Sequence, residues 1–543
     1  MLLSTPVVLL CCLLIALPVV SIFFVAFQPT AESLAILRHL VSTVLADYVF
    51  TSVLLCVLVG TGVACVGALT ACAVSLFEFK GRAVFEWLLL LPLAMPAYVV
   101  AFAYTDFLQF SGPAQTAIRA TFGWQGRVFP EIRNVGGAAF VLTVTLYPYV
   151  YLMVRAALTE RATRLMEAAR MLGAPLTRRI KAVALPLARP ALAAGVALAL
   201  METLADFGVT SYFGIQSFTV GIYKAWLAMD NMVAAAALAA LLLLTVAGLL
   251  WAERRAERRM RFTSTRGGSA QRSDAGRTEA RPIVLTGSRV LVAQLVCLLP
   301  TLCGFFLPVM MMLRPLVQSF DGAELSASLW ADFARWSSNS LLLAAVSSLL
   351  ATMVALVLAF AARRQSTALT RLGVNIVGLG YAVPGAVVVA GLLLPVAALQ
   401  ATWPQSGVAA LVTTTAVGIM WAYLVRFSAV ALQSVQSGYA RIPVSFDDSA
   451  RMLGATDGRI FRAVHAPLLA RSTAVAALLV FVDVMKELPA TLVLRPFNCD
   501  TLAVITYQLA KDERLGEAAL PALALVAVGL VPVIVLSRAL RAR

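Results

Sequence analysis

Two pairs of acids carry the most suggestive chemistry in this sequence. Glu202 and Asp206 lie four residues apart in an apolar stretch, and Asp483 and Glu487 repeat that spacing 281 positions later. On a continuous helix, positions i and i+4 share a face, so each pair is expected to project from one side of its element. An acid at the centre of a membrane-crossing helix costs about 2.5–3.5 kcal/mol on insertion scales, so these groups are expected to face protein or water. Their oxygens suit a hard cation, and four of them around a common axis would attract one. The competing reading is local pairing, in which Lys486 satisfies Asp483 or Glu487. Asp106 and Lys224 are weaker candidates at an aqueous boundary.

Other chemistries lack their residues. No G-x-x-x-x-G-K-[ST] phosphate loop and no H-E-x-x-H motif occurs. The two histidines, His39 and His465, have no serine or acid placed beside them by spacing, and His465 is expected on the surface of a polar loop. Seven of the eight cysteines sit in apolar runs, and none has the spacing of zinc ligands. Catalysis by this chain alone is therefore not expected, no cofactor is assigned to it, and the sequence names no resident metal.

The elements that must position the acids are membrane spans. Of 543 residues, 61% are hydrophobic and 13% charged, with a mean hydropathy of +0.89. A soluble domain runs at about 45–50% apolar and about 25% charged, which excludes that class. Twelve apolar runs of spanning length are expected, at 5–27, 49–76, 83–106, 135–157, 191–214 and 232–252, then 290–313, 338–362, 372–399, 406–432, 472–494 and 517–537. The first has no basic flank and no cleavage-like ending, so it reads as a retained helix. The net charge of +16 does not point to nucleic acid, because most of the 43 Lys and Arg fall on one side of this layout, including Arg538, Arg541 and Arg543. That asymmetry makes that side, and both termini, cytoplasmic.

The expected fold class is thus all-α and integral to the membrane, with about twelve transmembrane helices in two six-helix repeats. The first unit covers 1–252 and the second 290–543, and a basic cytoplasmic linker, 253–289, joins them as a solvated tether. Glu167-Ala168-Ala169-Arg170-Met171-Leu172-Gly173-Ala174 is answered by Asp448-Ser449-Ala450-Arg451-Met452-Leu453-Gly454-Ala455. The same offset of 281 maps Pro186 onto Pro467 and Asp206 onto Glu487. Earlier in each half, Ala94-Met95-Pro96-Ala97 matches Ala382-Val383-Pro384-Gly385. Two halves of like topology place any pathway between them. Each octapeptide falls in a cytoplasmic loop. It reads as a short helix ended by a positive-φ glycine, then a second short amphipathic stretch closed by Pro186 or Pro467.

The Glu-Ala-Ala, three residues, Gly pattern with its late Leu-Pro resembles the signature loop of binding-protein-dependent ABC-importer permeases. The second copy departs from it, with Asp448 and Ser449 replacing Glu and Ala and with His465-Ala466-Pro467 replacing Ala-Leu-Pro. A further likeness, in Asp483 to Thr491, Arg495-Pro496-Phe497-Asn498 and Met201 to Gly208, is to the fused permeases of ferric-iron importers. Relatives in that group carry thiamine, phosphonates, sulfate or polyamines. The resemblance implies a lipid-embedded subunit of a bacterial inner membrane. It also implies partners: two copies of a cytoplasmic P-loop ATPase, which hold the ATP, and an extracytoplasmic binding protein. Glu167, Ala168, Ala169, Gly173 and Pro186, with Asp448, Ala450, Gly454 and Pro467, would form the ATPase-coupling loops. A self-sufficient ion-coupled carrier has the same span count but no partner for such loops.

Overall fold

A computed structural model describes residues 5–27, 31–159, 163–265, 283–321, 327–364 and 368–541. The chain is all-α. Among the described residues the strands are two-residue pieces, Phe77–Glu78 and Ile283–Val284, paired in parallel. Eleven helices among these residues are long and apolar enough to cross a membrane, or twelve if a bent pair, Arg82–Ala94 and Ala97–Phe122, is one span.

That bent pair, with 88° between its arms, is written in the prolines. Pro96 disfavours helical backbone at Met95, which sits at φ −88° and ψ 121°, and Pro96 itself leads into the helix Ala97–Leu108. Val383 and Pro384 repeat the device ahead of Gly385–Thr402, with Val383 at φ −80° and ψ 117°. The matched Ala-Met-Pro-Ala and Ala-Val-Pro-Gly segments are therefore paired helix breaks.

The two halves agree residue for residue over a long stretch. Helices Thr163–Met171 and Val444–Met452, the short turns Leu176–Arg179 and Asp457–Ile460, and the spans Leu185–Ala205 and Ala466–Lys486 all start and stop 281 positions apart. Asn134 and Thr415, again 281 apart, both cap the following span with a side-chain oxygen.

Prolines 186 and 467 do not close the second stretch of each loop, as their sequence suggests. Each short turn runs on through one π-helical turn, Ile180–Ala184 or Phe461–His465, directly into the span. Proline has no N–H to give and its ring crowds the carbonyl four residues back; widening the preceding turn to i→i+5 bonding, as in Leu185 N–H to Ile180 O, relieves this.

The linker also differs from a plain tether. Residues up to Thr265 continue the helix Met232–Thr265, and at the far end Ile283–Val284 is fastened to Phe77–Glu78, with Gln294 Nε2 donating to Lys80 O at 3.0 Å. Residues 266–282 lie outside the described residues.

The described chain compacts into two units that do not follow its halves. One gathers Met1–Thr43, Gly221–Leu243 and Leu325–Gln508; the other gathers Val44–Val220, Leu244–Glu324 and Leu509–Arg543. In the first, the helix Thr5–Ala26 packs on Gly385–Thr402 so closely that a Cβ at Gly391 would collide with Pro18 O. In the second, Ser288–Thr301 and Leu307–Asp321 pack among helices of residues 45–108, with Tyr104 Oη donating to Cys303 O at 2.8 Å.

Candidate functional site

Each octapeptide folds into an exposed tip. Thr163–Met171 ends where Gly173 takes φ +78°, and Val444–Met452 ends where Gly454 takes φ +77°. The crossed bonds of a Schellman turn are present in both: Gly173 N–H to Arg170 O at 2.9 Å and Ala174 N–H to Ala169 O at 3.0 Å, with Gly454 to Arg451 and Ala455 to Ala450 at the same distances. Ala169 and Ala450 are half-buried, whereas Glu167, Ala168 and Asp448 are exposed, as are Pro186 and Pro467. Asp448 is held by Arg451 at 3.2 Å. What the turn presents is apolar. Met171 and Leu172 are each 87% exposed, Met452 is 88% and Leu453 87%. Each tip thus holds two adjacent large apolar side chains outside its own fold.

The acids are arranged otherwise than their spacing suggests. Glu202 and Asp483 lie within helices, half-buried, but each span stops one turn later. Asp206 and Glu487 have left helical geometry, at ψ 129° and 123°, so the members of a pair do not share a helix face. Their carboxylates turn back to cap the next short helix. Asp206 Oδ2 accepts from Val209 N at 3.1 Å and Thr210 N at 3.0 Å, and its backbone carbonyl accepts from Thr219 Oγ1 at 2.6 Å. Glu487 does the same with Ala490 N at 3.0 Å and Thr491 N at 2.9 Å, adding Thr491 Oγ1 at 2.6 Å. Glu487 also pairs with Arg426 Nη1 at 3.0 Å, its own side chain fully buried. Arg426 is thus a cation bonded to Glu487. Around this break Tyr423 Oη lies 2.6 Å from Thr491 Oγ1, and Tyr223 Oη donates to Pro489 O.

Sequence reasoning passed over Arg426, although a cation inside an apolar span is itself a signal. It also misplaced His465, which is 1% exposed, with Nε2 2.8 Å from Asp447 Oδ1. Of the weaker candidates, Asp106 is half-buried near the end of Ala97–Leu108, and Lys224 is exposed at the start of a π turn, Lys224–Ala228. Among the described residues, no group of three or more His, Cys, Asp or Glu is placed to hold a metal.

Residues 63–262, which hold the first tip and the Asp206 break, match the family described as binding-protein-dependent transport system inner membrane component. This chain carries a permease domain of that family. Over 91% of its length, and 90% of the relative's, it is 26% identical to an Fe(3+)-transport system permease protein, FbpB 2, of Haemophilus influenzae. Shorter matches cover about a quarter of the permease. One is 30% identity over 27% of this chain and 50% of the sulfate transport system permease protein CysT of Salmonella typhimurium. Another is 31% identity over 25% of this chain and 57% of the molybdenum transport system permease protein ModB of Escherichia coli. The permease is a multi-pass inner-membrane protein of an ABC importer, resembling fused two-unit ferric-iron permeases.

Proposed function

We propose that this permease forms the translocation pathway of a ferric-iron importer and is driven by two copies of a separate P-loop ATPase. The observation that carries the iron reading is the match running through nearly all of both chains to a permease described as transporting Fe(3+). The sulfate and molybdenum relatives match only about a quarter of this chain, so they support transport without naming the cargo.

The coupling reading rests on the two tips. Each is a rigid Schellman turn carrying a Met-Leu pair, set on a helix that continues through a π turn into a span. A partner that buries the pair can push on that span as a lever. ATP hydrolysis belongs to the partner, and an extracytoplasmic binding protein delivers the cargo. Within this reading the chain comprises repeat units 1–252 and 290–543 joined by the cytoplasmic segment 253–289, with both termini cytoplasmic. Asp206 and Glu487 shape the broken spans, and Glu202 and Asp483, one turn earlier, are the acids proposed to meet the cargo.

Proteoliposomes containing this chain, its ATPase and its binding protein test the proposal. Uptake of radiolabelled ferric iron that requires ATP and exceeds uptake of sulfate and molybdate is the expected result. Uptake of either anion with no response to iron would overturn the cargo assignment while leaving the importer class standing.

A further inference from the structure

The repeat makes the base of the second tip chemically unlike that of the first. The offset of 281 aligns Leu158 with Tyr439, Met166 with Asp447 and Ala184 with His465. The first three are buried and apolar; the second three are equally buried, at 7%, 3% and 1% exposure, and bonded to one another. His465 Nε2 faces Asp447 Oδ1 at 2.8 Å, and its Nδ1 faces Tyr439 Oη at 3.3 Å.

Arg363, near the end of the helix Ala327–Arg364, closes the cluster. Its Nε donates to Asp447 Oδ2 at 2.7 Å and its Nη2 to Oδ1 at 3.4 Å and to Pro443 O at 3.1 Å. Nη1 donates to Tyr439 O at 3.3 Å and Ile442 O at 3.0 Å. Every N–H of the guanidinium is thereby used, three of them on carbonyls at and just beyond the end of the helix Ala416–Tyr439. The next residue, Arg364, reaches the second arm of the loop through Asp457 Oδ2 at 2.8 Å, and Phe360 packs edge-on against Phe461 and His465. One helix end thus grips both arms of the second loop by directional bonds.

We propose that Arg363, Asp447 and His465 are positioning residues, a polar latch that ties the second ATPase-docking loop to the helix Ala327–Arg364. The two loops are then mechanically unequal. Motion of the partner at Met452-Leu453 is passed to Ala327–Arg364 through fixed bonds, whereas the aligned positions of the first loop, Leu158, Met166 and Ala184, carry no polar group to make them. This rests on the docking-loop reading above.

The test reconstitutes the full permease with its ATPase and binding protein and measures ferric-iron uptake per ATP hydrolysed. A fourfold variant, Arg363→Met with Tyr439→Leu, Asp447→Met and His465→Ala, gives the second base the apolar chemistry of the first. Its expected behaviour is normal membrane level and normal ATPase co-purification, since the buried pair is replaced whole and no charge is stranded, with uptake per ATP lowered about ten-fold because the directional bonds are gone. Wild-type uptake per ATP in this variant would overturn the latch, because packing alone would then suffice. Asp447→Asn, close in shape, carries the same expectation should the fourfold variant fail to assemble, and full coupling there overturns the latch equally. Leu453→Asp separates the two readings. If it abolishes ATPase association while the latch variants couple normally, the latch alone fails; if it changes nothing, the docking reading fails and takes the latch with it.

Discussion

Glu487 receives two backbone N–H groups, a hydroxyl and a guanidinium, so its oxygens are committed within the protein. Asp206 caps its turn with no cation bonded to it among the described residues: the offset that aligns it with Glu487 puts Thr145 where Arg426 stands. The two acids should accordingly respond differently to loss of charge. Glu487→Gln removes the charge that Arg426 pairs with and is expected to destabilise by more than Asp206→Asn does. Asp206→Asn keeps a capping oxygen and should cost about 1 kcal/mol or less. Thermal unfolding in detergent decides this, and equal losses at both sites would refute the distinction. Asp447 offers a pH test. Burial works against its charge, but hydrogen bonds and charge from Arg363 and His465 outweigh that and hold its carboxyl below the ordinary range. A carboxyl depressed in the folded state adds stability above its unfolded value, about 3.9, and loses it as pH falls through the folded value. Wild type should therefore exceed Asp447→Asn in melting temperature at pH 7, with the gap closing below about pH 4. The burial of His465 was not legible from its neighbours, since Arg462 and the exposed loop around it read as surface; only comparison with Ala184 at the repeat offset exposes it.

Among the elements, the spans were legible because apolar length is a direct consequence of bilayer thickness. The breaks after Ala205 and Lys486 were not, because Phe207, Val209 and Tyr212 prolong the apolar run through a turn that hydropathy cannot register. The glycine-ended tips were legible, since a positive φ at the end of a helix calls for glycine. Gly173→Pro and Gly454→Pro forbid that geometry. Both variants should reach the membrane at normal level and lose iron uptake, with Gly173 the more sensitive site because its copy keeps the fuller motif. Retained uptake with retained ATPase binding would sink the coupling role. The π turns give a second test at this scale. Pro467→Ala restores a donor and lets the widened turn relax to α, which re-registers the loop by about 100° around the span. Coupling should fall while the melting temperature holds or rises, and unaltered uptake per ATP would show that the wide turn has no mechanical part.

For the molecule as a whole, the proposed orientation rests on the distribution of Lys and Arg. Thr456→Cys, in the second loop, should resist an impermeant thiol reagent in intact cells, whereas Phe497→Cys, at a position 92% exposed and external in the proposed topology, should react. Labelling in the reverse pattern would invert the topology and remove the docking loops from their partner. Local sequence carries the repeat but not the way it compacts. Nothing in residues 5–26 declares that their neighbours are residues 385–402, because both segments are uniformly apolar and any lipid-facing surface would accept either.

The exchange of helices between halves also sets a clock on biosynthesis. The helix Thr5–Ala26 emerges first, yet the segment it packs against, Gly385–Thr402, is translated some 360 residues later. At about 5–20 residues per second that is a wait of roughly 20–70 s in the bilayer with its final seat still unmade. Lipid, or an insertion chaperone that shields apolar helices, must occupy that face in the interval. A truncated chain ending before Gly385 would leave it uncovered for good, and such nascent fragments are natural substrates for membrane proteolysis.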